Sequence, residues 1–129
     1  MRVNINGETK IFAILGNPVA HSLSPAMYNA AFEFLGMNGA YVAFSVDEGR
    51  LGQAVEGLKS LGVRGGNITI PFKEKIIPFL DGITEEARLI GAVNTFYRKN
   101  GKLWGTNTDG PGFIKALAKA YPQALSGRN

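Results

Sequence analysis

The 129-residue chain has no cysteine, one histidine and one tryptophan. Without cysteine there are no disulfides, no thiolate chemistry and no cysteine-ligated zinc. The single histidine, His21, has no second ligand near it in sequence and reads as an ordinary loop residue, so no metal is expected. Long apolar runs are also missing, and the opening stretch MRVNINGETK contains no apolar signal region. A membrane span is therefore not expected, and a cytoplasmic location is the default. No basic run is longer than Arg98-Lys99, which argues against a nucleic-acid surface despite a net charge of +4. That charge favours small anionic ligands. Neither G-x-G-x-x-G after a strand nor G-x-x-x-x-G-K-[ST] occurs, so no nucleotide-phosphate loop is visible.

What is present is a turn-rich, globular composition, with seventeen glycines and 45% hydrophobic residues. Lys10 to Gly16 is a continuous apolar run, the signature of a strand buried on both faces. Ser24-Pro25 offers an N-cap and a first-position proline for a helix with Met27, Ala30, Ala31, Phe34 and Leu35 on one face and Gly36 at its end. Ala40 to Val46 is a second strand. Asp47 can cap a second helix, with Leu51, Ala54, Val55, Leu58 and Leu61 on its apolar face and Gly62 closing it. Residues 65–70 form the third strand. A short helix is expected after Pro71, interrupted at Pro78. Thr84 then caps another, with Glu85 and Glu86 in the first turn. Asn100-Gly101 between two strand-like runs predicts a hairpin, and Asp109 caps a last helix before Pro122. The expected fold is α/β, with a mostly parallel, mixed sheet flanked by helices and one antiparallel hairpin.

In such sheets ligands bind beyond the carboxyl ends of the strands. The polar residues outside the expected core collect there. Ser22 and Ser24 follow the first strand, and Asn67, Thr69 and Lys73 belong to the end of the third. Asn94, and then Thr106 to Asp109, flank the hairpin. Each has an ordinary reading: a cap for Ser24 and Asp109, a loop hydroxyl for Ser22, backbone satisfaction for Asn94, a surface charge for Lys73. The functional alternative for the serines is a carboxylate held by two hydroxyls at a helix start. Lys73 is the odd one. With Pro71 opening a helix it falls in the first turn, where a cation is disfavoured by about 0.3–1 kcal/mol. It is either tolerated there or kept there for acid–base work.

Taken together, GNPVAHSLSPAMYNAAF, NITIPFKEK, GAVNT and GTNTDGPGF resemble the N-terminal, substrate-binding domain of the shikimate dehydrogenases, over nearly all of residues 11–120. The resemblance implies reduction of 3-dehydroshikimate to shikimate with NADPH, on the route to chorismate and the aromatic amino acids. It implies that Ser22 and Ser24 hold the substrate carboxylate and that Asn67 and Thr69 contact the substrate. Lys73 would be the catalytic lysine, and Asn94 and Asp109 would hold ring hydroxyls, Asp109 also partnering the lysine. On this resemblance residues 1–121 are the substrate-binding domain and 122–129 begin a linker to an NADP-binding Rossmann domain. Because the chain stops near that point, the expectation is a fragment of the enzyme, inactive without the cofactor domain. A quinate/shikimate dehydrogenase and a lone, non-catalytic shikimate-binding module are the alternatives. A homodimer is left open.

Overall fold

The structure, a computed structural model, describes residues 4–108. The described elements are β1 (Lys10–Gly16), α1 (Ser24–Leu35), β2 (Gly39–Ser45), α2 (Leu51–Ser60), β3 (Gly65–Ile68), β4 (Gly82–Ile83), α3 (Glu85–Ile90), β5 (Thr95–Lys99) and β6 (Lys102–Thr106). Six strands make one sheet in the order β2-β1-β3-β5-β6-β4. β1 pairs in parallel with β2 and β3, and β4 pairs in parallel with β6, while β5 is antiparallel to both its neighbours. The mixed α/β sheet expected from the sequence is the one observed. Asn100 (φ 54) and Gly101 (φ 77) form the predicted two-residue hairpin turn, whose left-handed central pair matches the twist of the flanking strands.

The continuous apolar run becomes β1 because it is covered on both sides. Phe12 and Ile14 face a cluster with Tyr28, Phe32, Met37 and Tyr41. Ala13 and Leu15 face the larger cluster built with Val55, Leu58, Ile68, Phe96 and Leu103. β1 and β3 approach very closely where Gly66 lies against Ala13. A β-carbon on Gly66 would sit 1.6 Å from the Ala13 carbonyl oxygen, so no side chain fits there.

Several local expectations are corrected. α1 buries Tyr28 and Phe32, whereas Met27 and Phe34 are exposed. Two apolar stripes compete on this helix, and the aromatic one wins. Phe32 meets Phe12 at 5.0 Å and Tyr28 stacks on Tyr41 at 4.9 Å, contacts that flexible Met27 has no ring to make. α2 buries Leu51, Val55 and Leu58 as expected, but Leu61 lies past its last turn and is exposed. Asp47 heads a 3-10 turn (Glu48–Arg50) with no side-chain capping bond, so it does not cap α2.

Ser24 is not an N-cap either: α1 starts at Ser24 itself without a side-chain cap, and the Ser24 N–H donates to the Ser22 hydroxyl at 3.2 Å. No α-helix starts at Pro71. The Ile70–Pro71 peptide is cis, and the Phe72 N–H donates to the Thr69 carbonyl at 3.0 Å, which makes residues 69–72 a cis-proline turn. Only a short 3-10 helix, Ile77–Phe79, comes after it. Thr84 does cap α3, accepting from the Ala87 N–H at 3.3 Å, and Gly91 closes it with φ 80. The two-residue strand β4 has too little pattern to be read from sequence. The last helix expected from Asp109 lies outside the described residues.

Candidate functional site

With every strand but β5 running one way, the ends of β1, β3 and β6 and the start of β5 share one edge of the sheet. Backbone bonds pull the loops at that edge together. The Asn17 N–H donates to the Ile70 carbonyl at 3.1 Å and the Thr69 N–H to that of Leu15 at 2.9 Å. The Val93 N–H donates to the Lys73 carbonyl at 2.7 Å, and the Ile68 N–H to the Asn94 carbonyl at 2.9 Å. Gly16 makes the crossing possible, since a β-carbon there would lie 2.3 Å from the Thr69 methyl. Asn17–Pro18, the other cis peptide, sits in the same place.

The six described candidates therefore gather at one end of the sheet. Ser22 and Ser24 are half-buried at the start of α1, Asn67 and Thr69 are half-buried at the end of β3, and Asn94 is half-buried ahead of β5. Lys73 is exposed, in the turn after β3 and before the 3-10 helix. It is thus not at the start of an α-helix, and the dipole argument that singled it out does not apply; its position beside Asn94 does. That link runs through the Lys73 carbonyl and Val93, the residue before Asn94. Asp109 follows the last described residue, so its pairing with Lys73 lies outside the described residues.

Asn94 is the hub of the far side. Its side-chain nitrogen donates to the Thr108 carbonyl, and its side-chain oxygen accepts from the Thr108 N–H at 2.9 Å and the Thr95 hydroxyl at 2.9 Å. Asn107 donates to the Ala92 carbonyl at 3.0 Å. These bonds stitch the segment before β5 to the segment after β6, which leads directly to Asp109.

Sequence reasoning missed Tyr41. It lies in β2, is 1% exposed, and donates its hydroxyl to Asn67 Oδ1 at 2.6 Å. Burial pushes the Tyr41 phenol up, the neighbouring Tyr28 adds to this, and the Ser24 hydroxyl opposes it. The phenol is therefore neutral across the physiological range and acts as a hydrogen-bonding post. The available signal was one tyrosine in an otherwise apolar strand, because a buried phenol needs a partner. Among the described residues no group of three or more His, Cys, Asp or Glu could hold a metal, and no helix is long and apolar enough to cross a membrane.

Comparison with known proteins gives the relatives of the chain. Residues 14–96 match the family described as the shikimate dehydrogenase substrate binding domain. The NADP(+) shikimate dehydrogenase of Alkaliphilus metalliredigens is 53% identical over 118 residues, 92% of this chain and 41% of that protein. The shikimate 5-dehydrogenase of Listeria monocytogenes, solved with shikimate and NAD, is 39% identical with a TM-score of 0.81, over 93% of this chain and 42% of that one. The Thermus thermophilus enzyme, solved with NADP(H) and shikimate, is 45% identical with a TM-score of 0.75, over 86% and 42%. The chain thus spans about two fifths of the length of these relatives.

Proposed function

The chain belongs to the shikimate dehydrogenase substrate-binding domain family, and on that premise we propose that it is the substrate-holding part of an NADP-dependent shikimate dehydrogenase. The observation that carries this reading is the convergence of Ser22, Ser24, Asn67, Thr69, Lys73 and Asn94 at one sheet edge. Ser22 and Ser24 bind the carboxylate of shikimate or 3-dehydroshikimate, and Asn67, Thr69 and Asn94 take the ring substituents. Asp109, directly after Thr108, completes that set and partners Lys73. Lys73 meets the ketone oxygen as negative charge builds on it and hands it a proton; in the oxidative direction it removes one. We assign residues 1–121 to this domain and 122–129 to the start of a linker.

The cofactor fits these residues poorly. β1 leads into Asn17-Pro18 and β3 into Ile70-Pro71, neither of them a glycine-rich phosphate turn. In a complete enzyme, NADPH held outside these residues would supply the hydride. The 129 residues by themselves should therefore not oxidise shikimate. The reading also places the protein in the cytoplasm. For assembly we propose a homodimer through α1 and the β2 edge, supported by exposed Leu23, Met27, Phe34, Val42 and Phe44. A strictly monomeric sedimentation profile at high concentration would remove that dimer.

The test is titration of shikimate into the isotope-labelled chain. Binding is expected to be weak, roughly millimolar, since the ligand is enclosed from one side only. Shift changes should concentrate at Ser22, Ser24, Asn67, Thr69, Lys73 and Asn94. Ser22→Ala should weaken binding by roughly 10- to 100-fold, as expected of a lost charge-assisted bond. No binding, or shifts confined to another surface, would overturn the reading. In a complete enzyme, Lys73→Ala should lower kcat by about 10²–10⁴.

A further inference from the structure

The geometry points to Tyr41 as a positioning residue of this site, which fixes the orientation of the Asn67 amide. The inference rests on the shikimate-binding reading for its effect on affinity, but its structural basis is independent of any ligand.

Two hydrogen bonds run in series. Tyr41 donates to Asn67 Oδ1 at 2.6 Å, and Asn67 Nδ2 donates to the Asn94 carbonyl at 3.4 Å. A phenol has one proton. That proton goes to Asn67 Oδ1, so the amide oxygen faces Tyr41. A flipped amide would set its oxygen against the Asn94 carbonyl, two acceptors face to face. The two ends of Asn67 are thus determined from opposite sides. One N–H of the amide remains to serve a ligand hydroxyl or carbonyl as a donor.

The post itself is rigid. Asn29 on α1 accepts from the Tyr41 N–H and donates to its carbonyl, both at 2.8 Å. The Tyr41 ring stacks on Tyr28, 4.9 Å away and tilted by 29°. α1 therefore grips β2 at Tyr41 on backbone and ring, and Tyr41 passes that grip to β3. This couples α1, whose first residue Ser24 is proposed to hold the carboxylate, to the residues proposed to hold the ring, Asn67 and Asn94. Neither group needs to touch the other.

Tyr41→Phe keeps the ring, the stacking and the Asn29 clamp, and removes only the hydroxyl. The expected result is a folded chain in which the Asn67 side-chain amide signals move in a nitrogen–proton correlation spectrum. Shikimate affinity should fall roughly tenfold, the effect of one lost polar bond. A merely structural tyrosine would shift the melting temperature and leave the Asn67 signals and the affinity alone. Unchanged amide signals, or parent-like affinity in the folded variant, would overturn the inference. If the parent chain binds no shikimate, the functional reading fails, while the Asn67 signals still decide the role of Tyr41. Should the variant not fold, the parent decides it. Its Tyr41 hydroxyl proton should exchange slowly and show cross-relaxation to the Asn67 amide, and absence of that proton signal counts against the inference.

Discussion

On one side of β3 the sheet consists of β1 and β2, parallel, with β1 packed by aromatic and aliphatic side chains on both faces. On the other side, β5 and β6 send Phe96 and Leu103 into the same core, and β5, β6 and β4 add a set of side chains bonding to backbone. Arg98 donates to the carbonyls of Val63 and Leu58, each at 3.0 Å, and to that of Lys59 at the end of α2. Asp81 accepts from the Leu103 N–H, and Thr84 and Thr106 share a hydroxyl bond. The first half gains its stability from buried area, which is non-directional and tolerant of small shifts. The second adds satisfied polar groups with directional geometry to its share of that core. The candidate site lies at the seam, where a rigid apolar half presents Ser24 and Asn67 to a polar half that presents Asn94.

The seam should be the most sensitive place. Gly66→Ala would drive a methyl to within 1.6 Å of the Ala13 carbonyl oxygen, with backbone rather than a flexible side chain as the obstacle. β1 and β3 cannot stay paired around it. The expected cost exceeds about 4 kcal/mol, enough to leave little folded chain, as circular dichroism and solubility would register. A folded Gly66→Ala protein with a parent-like melt would mean that the halves do not meet so tightly.

The parallel half is the next target, through the helix face that periodicity misassigned. Phe32 is fully buried against Phe12, whereas Phe34 is 81% exposed. Phe32→Ala should cost about 3–5 kcal/mol by emptying a packed site. Phe34→Ala should stay within about 0.5 kcal/mol in dilute solution. Equal losses in urea melts would show that both faces of α1 are covered.

This contrast explains what the sequence made legible. β1, β2, β3, the hairpin and the Thr84 cap could be read because apolar run, Asn-Gly and Thr-x-x are local signals. The face of α1 could not, since Met27-Phe34 and Tyr28-Phe32 are equally periodic and only the ring partners Phe12 and Tyr41, distant in sequence, decide between them. The segment after Pro71 failed for a related reason: proline suits both a helix start and a cis turn, and the Phe72–Thr69 bond selects the turn. Most of the candidate site was visible as residues, because motif and polar character both mark Ser22, Asn67 and Asn94. Its wiring was not. Tyr41 acts from the neighbouring strand through one hydroxyl, and nothing local in AYVAFSV announces where that hydroxyl goes.

The smallest expected effect belongs to the polar half and depends on pH. The Asp81 carboxylate takes the Leu103 N–H at 2.8 Å and the Lys59 ammonium at 3.2 Å, linking β6 and α2 at the start of β4. The Leu103 bond first, and Lys59 second, hold the Asp81 carboxyl below its ordinary value of 3.8. Its folded-state pKa is thus lower than its unfolded one, so it contributes stability above about pH 3.8 and loses it as pH falls through the lowered value. Lys59 shows the opposite sign. Partial desolvation pulls it down, but the bonds to Asp81 and Glu56 outweigh that and raise it above 10.5. Its contribution is present below that pH and fades as pH rises through the raised value. Asp81→Asn can still accept from Leu103 but loses the charge. Its melting temperature at pH 7 should fall by on the order of a few degrees, and the gap from the parent should close in acid below pH 3.8 as the parent's own carboxylate is protonated. Phe32→Ala should show a gap that barely depends on pH, because no ionisable group is removed. A gap for Asp81→Asn that stays constant from pH 7 into acid would mean that the charge contributes nothing, leaving the polar half held by its buried side chains and neutral hydrogen bonds.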